Sequence, residues 1–288
     1  MSRVSQAHID TYRRIGAVRV EGVFDSRFVA RLTGLIDEAI AALRSGALPR
    51  QWPTPHPVFR DIEFEDHDGY VRLVNLMPRV PAIERLILDS PAAETVAALT
   101  GATSLRFWLD AVFSKEGDAP QTATPWHNDE CTFSLQGEHL PSCWIALTDV
   151  GLDNSPLQTL DGSHRDPHRY HSTFFPPDAE RPPNYRPWQE LLDRVNAPGA
   201  PITTWTVQAG DMLLIHPKTI HGAPPRARGV PGRRLAFTLR FIGSDVVWQP
   251  NSLTFGFSPF DRDPRMQRDR PPPEELFPII WRAPPAPA

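Results

Sequence analysis

The chain has 288 residues, 40% of them hydrophobic, and a formal net charge of −4. This length fits a single domain over residues 1–288, and the charge balance, without a basic stripe, argues against nucleic acid as a partner. No stretch approaches the ~18 apolar residues of a membrane helix and the N-terminus has no signal-like apolar core, so we expect a cytoplasmic protein without a membrane partner.

The first part of the chain, residues 1–103, is predicted to be helical with one early strand. Alternating residues at 17–20 predict that strand. Proline and arginine dominate residues 47–60, which we expect to form a loop. Apolar residues at helical spacing, with Asp25 as one N-cap and glycines as stops, predict helices. These helices cover residues 7–15, 25–43, 81–88 and 91–99.

Residues 104–250 carry short apolar or alternating runs that are separated by glycine, proline, asparagine and aspartate, a texture typical of a β-sandwich or barrel. The predicted strands are 105–113, 144–150, 203–207, 212–216 and 235–242. Residues 165–200 interrupt this texture with prolines, arginines and aromatic residues such as Tyr170 and Trp188, and a connection of this length predicts a lid. The tail, residues 251–288, keeps aromatic residues that should hold it against the body.

A candidate metal site is formed by His127 and Asp129, in the sequence Trp-His-Asn-Asp at 126–129, together with a later histidine. Residues i and i+2 of a strand share a face, so His127 and Asp129 can point at one ion. Two histidines and one carboxylate are the ligand set of non-haem Fe(II) oxygenases. Cys131 is expected to pack in the core, and with Cys143 it gives no disulfide framework.

The third ligand has two candidates, His216 and His221. We choose His221, because Gly222 permits close backbone approach and the apolar run 212–215 delivers the chain into the core. His216 precedes Pro217 at a predicted turn.

Several arginines follow, and one of them is a candidate anion ligand. We interpret Arg226 and Arg228 as solvated. Arg234 opens an apolar strand after His221, where a buried guanidinium would bind the far carboxylate of an iron-chelating dicarboxylate. Arg233 is the competitor, and strand alternation lets only one of the two face inward.

These pieces together resemble the phytanoyl-CoA dioxygenase-like family of Fe(II)- and 2-oxoglutarate-dependent oxygenases. The resemblance covers most of the chain and rests on the order and spacing of many short motifs. These motifs are residues 12–24, 113–117, 124–129, 144–150, 161–164, 210–216 and 219–223, followed by Arg234 in its strand.

The resemblance implies a double-stranded β-helix, a cupin-like jelly roll, with the N-terminal helices packed on it. It implies Fe(II) held by His127, Asp129 and His221, and the cosubstrate 2-oxoglutarate held by Arg234. Three further residues match positions that line the cosubstrate pocket in relatives: Lys115, Thr124 and Trp144.

Two departures from the family pattern affect the expected pocket. Ser155 and Pro156 follow Asn154 where relatives carry an Asn-Gly turn. Ala223 stands where they often carry a hydroxyl, so the cosubstrate is expected to rest on Arg234 and on Thr124 or Thr219.

The expected reaction uses O2 and 2-oxoglutarate, with ascorbate as a stimulant, and releases succinate and carbon dioxide while a C–H bond of a small, partly apolar molecule is oxidised. Asp129 favours hydroxylation over halogenation, because halogenating relatives replace this carboxylate by a small residue. The alternatives are a non-catalytic small-molecule binder and a non-oxidative metalloenzyme with the same triad. A secondary-metabolite intermediate is the expected substrate, and the protein is expected to be a monomer or a homodimer.

Overall fold

The computed structural model describes residues 3–116, 122–171, 183–250 and 263–284. Five helices lie in these segments: α1 (Gln6–Ile15), α2 (Ser26–Ser45), α3 (Pro81–Leu88), α4 (Ala92–Thr100) and α5 (Trp188–Val195). Within the described part, no helix combines the length and the apolarity that crossing a bilayer would require.

Sixteen strands accompany the helices in the described segments. They are β1 (Ala17–Val20), β2 (Glu63–His67), β3 (Tyr70–Val74), β4 (Ser104–Lys115), β5 (Thr124–His127), β6 (Leu135–Gln136), β7 (Ser142–Ala146), β8 (Leu157–Leu160), β9 (Arg169–Tyr170), β10 (Tyr185–Arg186), β11 (Ile202–Trp205), β12 (Met212–Ile215), β13 (His221–Ala223), β14 (Arg234–Gly243), β15 (Val247–Trp248) and β16 (Ile279–Arg282).

Most strands belong to two antiparallel sheets. The larger sheet has eight strands, with seven in the order β1-β12-β7-β14-β4-β3-β2 and β16 paired to β4 beside this path. The smaller sheet has the order β11-β8-β13-β5. Residues of both sheets line one cavity, so the two sheets enclose the space between them.

The longest described pairing, β4 with β14, shows how the larger sheet separates its two faces. Residues Leu235, Phe237 and Leu239 of β14 are fully buried in the main hydrophobic core. Arg234 and Thr238, which alternate with them, line the cavity on the other face. Strand alternation therefore puts the apolar residues against the helices and the polar ones toward the interior space.

The N-terminal helices cover the outer face of the larger sheet, as the sequence predicted. The α2 helix begins after Asp25, whose carboxylate accepts a hydrogen bond from Phe28 N at 2.7 Å, and it ends at Gly46 in the left-handed region. Its buried stripe, which includes Leu32 and Ile36, packs in the same cluster as Phe237.

Three features differ from the sequence-based expectations. The hairpin of β2 and β3 was not predicted, because β2 is a polar edge strand with a mostly exposed Glu-Phe-Glu-Asp-His sequence. The segment 165–200 contains β9, β10 and α5 in its described part, and α5 buries Leu191 and Val195 beside Tyr170. The predicted strand 144–150 begins earlier and ends earlier, at Ser142–Ala146.

Candidate functional site

His127 and His221 lie on two neighbouring, paired strands of the smaller sheet. His127 is the last residue of β5, His221 is the first residue of β13, and the two are directly opposite in the pairing register. Their ring centroids are 4.3 Å apart. Asp129 follows β5 and does not continue it, because its backbone is helical (φ −70°, ψ −42°) and starts a short 3-10 turn. The expectation that one strand face carries both His127 and Asp129 is therefore wrong, although the turn still brings the carboxylate to the histidines.

The three side chains form a compact donor set. One nitrogen of each histidine and one Asp129 oxygen lie within 4.8 Å of one another, and His127 Nε2 is 3.6 Å from Asp129 Oδ1. His127 Nδ1 lies 2.7 Å from Pro125 O, and His221 Nδ1 lies 2.9 Å from Thr219 O. A carbonyl acceptor fixes Nδ1 as the protonated nitrogen, so Nε2 carries the lone pair that a metal requires.

The surroundings keep the charge states that metal binding requires. Burial, and then the proximity of His127, lower the pKa of His221 to about 4, so its imidazole is neutral near pH 7. Burial alone would raise the pKa of Asp129, but Arg240 and the two histidines outweigh it and hold the pKa well below its usual range. Ser142 Oγ donates to Asp129 Oδ2 at 2.5 Å. The neutral imidazole of His221 and the ionised carboxylate of Asp129, with the imidazole of His127 beside them, fit the ligand set of Fe(II).

The triad lines a cavity of about 710 Å³ between the two sheets. Arg234 lies on the wall of the same cavity and is 2% exposed. Its guanidinium stacks on Trp144, 4.9 Å from the ring centroid, while Nε and Nη2 have no hydrogen-bond partner among the described residues. Burial lowers the pKa of Arg234 to about 10, which still leaves it charged near neutrality. A buried, charged fork without a partner is suited to receive a carboxylate.

Lys115 is paired with Arg234 across the sheet and is hydrogen-bonded to Thr124. Lys115 of β4 is opposite Arg234 of β14 in the sheet register. Its Nζ donates to Thr124 Oγ1 at 2.9 Å and to Ser155 Oγ at 3.1 Å. Thr124 lines the cavity, whereas Lys115, which was expected to line the cosubstrate pocket, is not among the described residues of the cavity wall.

Three other sequence candidates lie outside the cavity wall. Arg233 faces the opposite side of β14 and makes a two-pronged ion pair with Asp37, at 2.7 and 2.8 Å. His216 is buried, and its Nε2 lies 2.9 Å from Glu138 Oε2. Thr219 donates its hydroxyl to Gly16 O at 2.8 Å, so we leave Thr219 out of the proposed cosubstrate pocket.

Sequence reasoning missed the roles of two arginines, the half-buried Arg240 and the buried Arg226. Arg240 lines the cavity, and its Nη2 lies 3.4 Å from Asp129 Oδ1. Its position six residues after Arg234, on the same face of one strand, was the available signal. The prediction of a solvated Arg226 is wrong, because this side chain is 3% exposed and its Nε donates to Asn154 Oδ1 at 2.7 Å. The rest of its guanidinium donates to the carbonyl groups of Glu116, Val230, Pro231 and Gly232.

The segment 165–200, predicted to be a lid, contributes no residue to the cavity wall in its described part. Tyr170 is buried, and its hydroxyl bonds to Asp166 and Arg194. Trp188 begins α5 and is also absent from the wall. Residues 172–182 lie outside the described residues, so the lid remains a prediction.

Comparison with known families identifies the class of this protein. The chain matches phytanoyl-CoA dioxygenase (PhyH) over residues 12–230 and belongs to that family. The predicted family and the predicted enzyme class, a non-haem iron dioxygenase that depends on 2-oxoglutarate, are therefore confirmed. Comparison with the curated proteins finds no match.

Solved structures share the fold at low sequence identity. The non-haem, α-ketoglutarate-dependent carbocyclase SnoK from nogalamycin biosynthesis is 21% identical, with 98% of this chain and 99% of that chain covered and a TM-score of 0.66. The epimerase SnoN of the same biosynthesis is 20% identical, with 96% and 98% covered and a TM-score of 0.66. EctD from S. alaskensis with 2-oxoglutarate and 5-hydroxyectoine is 17% identical, with 96% and 87% covered and a TM-score of 0.67. The predicted jelly-roll fold is confirmed.

Proposed function

We propose that the protein is an Fe(II)- and 2-oxoglutarate-dependent oxygenase that hydroxylates, or otherwise oxidises at a C–H bond, a small organic molecule. The observation that carries this proposal is that one cavity is lined both by the triad of His127, Asp129 and His221 and by the unpartnered guanidinium of Arg234. A hydrolytic metal site has no need of a second, buried cation. A dicarboxylate that chelates the iron at one end needs such a cation to bind the carboxylate at its other end.

Each part of the site has a defined task in this proposal. His127, Asp129 and His221 hold Fe(II), and Ser142 fixes the carboxylate that completes the set. Arg234 binds the far carboxylate of 2-oxoglutarate, and the Trp144 ring holds the guanidinium by a cation–π contact. Thr124 supplies a hydroxyl beside that carboxylate. When bound, Fe(II), 2-oxoglutarate and O2 supply the oxidising chemistry, with release of succinate and carbon dioxide, and ascorbate is expected to maintain the iron as Fe(II).

The part of the cavity beyond Asp129 is the proposed substrate pocket. Its wall is apolar where β4 contributes Leu109, Ala111 and Phe113 and where Phe133 ends the 3-10 turn that begins at Asp129. Its rim is charged, because the unpredicted hairpin of β2 and β3 and the residues just before it contribute Arg60, Glu63, Glu65 and Arg72. Arg72 pairs with Glu63 at 3.0 Å and with Glu65 at 2.6 Å. This combination fits a partly apolar molecule with a polar end, such as a secondary-metabolite intermediate, and the residues of the hairpin are its proposed selectors.

Succinate formation tests the proposed function. The purified protein should convert 2-oxoglutarate to succinate slowly with Fe(II), O2 and ascorbate, and faster when an accepted substrate is added from a panel of polycyclic phenols, glycosides and small zwitterions. Asp129→Ala should abolish this conversion because it removes the carboxylate ligand. Product formation with Zn²⁺ in place of Fe(II), or without O2, would count against an oxygenase.

A further inference from the structure

Lys115 is a buried lysine whose nitrogen has hydroxyl partners and no described carboxylate partner. Its side chain belongs to a residue that is 1% exposed, and Nζ donates only to Thr124 Oγ1 and Ser155 Oγ among the described residues. A charged ammonium is costly to bury unless an opposite charge faces it. The arrangement therefore favours the neutral amine when the pocket holds no anion.

The strands on both sides of Lys115 reinforce this preference. On one side, β14 places Arg234 directly opposite Lys115, so a charge of the same sign faces it. On the other side, β3 places Tyr70 opposite Lys115, and burial raises the pKa of Tyr70, which keeps the phenol neutral. The adjacent Glu116 is exposed and accepts a hydrogen bond from Ser114 Oγ at 3.5 Å. Burial first, and then Arg234, lower the pKa of Lys115 to about 6.

We propose that Lys115 is uncharged in the ligand-free pocket and takes up one proton from solvent when the far carboxylate of 2-oxoglutarate binds beside Arg234. This inference rests on the proposed function and assigns a role in binding that the resemblance alone does not. The Nζ lone pair accepts the proton and becomes an ammonium group, while the dicarboxylate keeps its charge. Thr124 lies between Nζ and the cavity, so the new charge sits one hydroxyl away from the ligand.

The electrostatic reason is that the ligand changes the sign of the local field. Before binding, Lys115 faces one buried cation and no described anion. After binding, a carboxylate neutralises Arg234 and lies close enough to favour a second positive charge. The pKa of Lys115 therefore rises on binding. Linkage then requires the affinity for 2-oxoglutarate to fall as pH rises above about 6, by up to about tenfold per pH unit while the bound lysine stays protonated.

Calorimetric proton counting tests the proposal on the full chain loaded with Mn²⁺, which occupies the triad without supporting turnover. Titration with 2-oxoglutarate in two buffers of different ionisation enthalpy, Tris and HEPES at pH 8, gives the number of protons taken up. We expect about one proton per 2-oxoglutarate at pH 8, and about half a proton at pH 6 in MES and Bis-Tris.

The chain supplies a matched control, because Lys218 is its only other lysine. Lys218 pairs with Glu138 at 2.6 Å, outside the cavity wall. Lys115→Met should bind 2-oxoglutarate without proton uptake and with an affinity that is flat between pH 6 and 8, whereas Lys218→Met should behave as wild type. Binding by the wild type without proton uptake would overturn the proposal, and this result needs no variant to fold. Equal uptake by wild type and Lys115→Met would overturn it as well. Failure of the Mn²⁺-loaded wild type to bind 2-oxoglutarate at all would instead contradict the proposed function.

Discussion

Replacement of Arg234 by leucine tests the cosubstrate pocket with a built-in control at the adjacent position. Arg234 is 2% exposed, and two of its guanidinium nitrogens have no hydrogen-bond partner in the described part of the chain. Truncation of one member of a buried, hydrogen-bonded charge pair costs about 2–5 kcal/mol. The dissociation constant of 2-oxoglutarate should therefore rise about 30- to 5,000-fold in Arg234→Leu.

The control variant, Arg233→Leu, removes the same charge from the opposite face of β14. Arg233 pairs with the half-exposed Asp37, and exposed ion pairs contribute about 0–1 kcal/mol to stability. Titration calorimetry with the Mn²⁺-loaded proteins should find 2-oxoglutarate affinity unchanged in Arg233→Leu. Equal losses in both variants would refute the assignment of Arg234 to the pocket.

The same pair of variants separates binding from folding. A buried guanidinium without a partner opposes folding, because its desolvation is not repaid. We therefore expect Arg234→Leu to keep or raise the free energy of unfolding in the absence of ligand, measured by urea denaturation. A large loss of stability in this variant would mean that Arg234 holds the fold together and is not held ready for a ligand.

Four further outcomes follow from the described contacts. Arg226→Met should lower the free energy of unfolding by about 1–3 kcal/mol in urea, because it removes the buried guanidinium that donates to Asn154 and to four carbonyl groups, whereas the exposed Arg228→Met should change it little; equal effects would contradict this network. Gly16→Ala should lower the melting temperature by several degrees, because Gly16 has φ +88° and an added Cβ would lie 2.3 Å from Thr219 Oγ1; an unchanged melting temperature would contradict this. Burial raises the pKa of Asp110 to about 7 despite three backbone donors, so its stabilising effect relative to Asp110→Asn should be full below about pH 4 and lost as pH rises through about 7; a stabilising effect that grows over this range would contradict the raised pKa. Limited proteolysis should cut within residues 165–200 in the Mn²⁺-loaded form and cut more slowly once an accepted substrate is present; equal cutting in both forms would contradict a lid.

The three residues of the candidate metal site could be located from the sequence because their determinants are local or nearly so. The spacing of His127 and Asp129 is two residues, and Gly222 marks the close approach of the strand that carries His221. The path between the first two residues could not be predicted: Asp129 leaves the strand and begins a 3-10 turn. The ligand set is compatible with both backbone paths, so the motif identified the residues without fixing their geometry.

Arg226 shows why a charged residue near a run of arginines was misinterpreted. Such runs are usually solvated, and no sequence pattern around Arg226 indicates that its side chain is buried. Its acceptors come from three separate stretches of chain, at Glu116, at Asn154 and at residues 230–232. Only the tertiary fold brings these stretches together. The departure from the family pattern after Asn154 lies at this network, because Asn154 accepts from Arg226 and the next residue, Ser155, accepts from Lys115.

The proposed substrate wall was missed for a different physical reason. The hairpin of β2 and β3 is at the edge of the larger sheet and carries charged residues on both strands. Edge strands need no apolar alternation, because one side is open to solvent. The sequence therefore directed attention to the aromatic segment 165–200, whose described part packs outside the cavity, while the polar hairpin contributes the rim.

The most direct test of the central claim is an anaerobic titration of Fe(II) binding to variants of His216 and His221, the two candidates for the third metal ligand. His221→Ala should lose most of its Fe(II) affinity while its circular dichroism spectrum stays that of a folded protein. His216→Ala should bind one Fe(II) with near wild-type affinity, because His216 pairs with Glu138 outside the cavity. Loss of Fe(II) binding in His216→Ala, with binding retained in His221→Ala, would contradict the metal centre and the oxygenase function built on it.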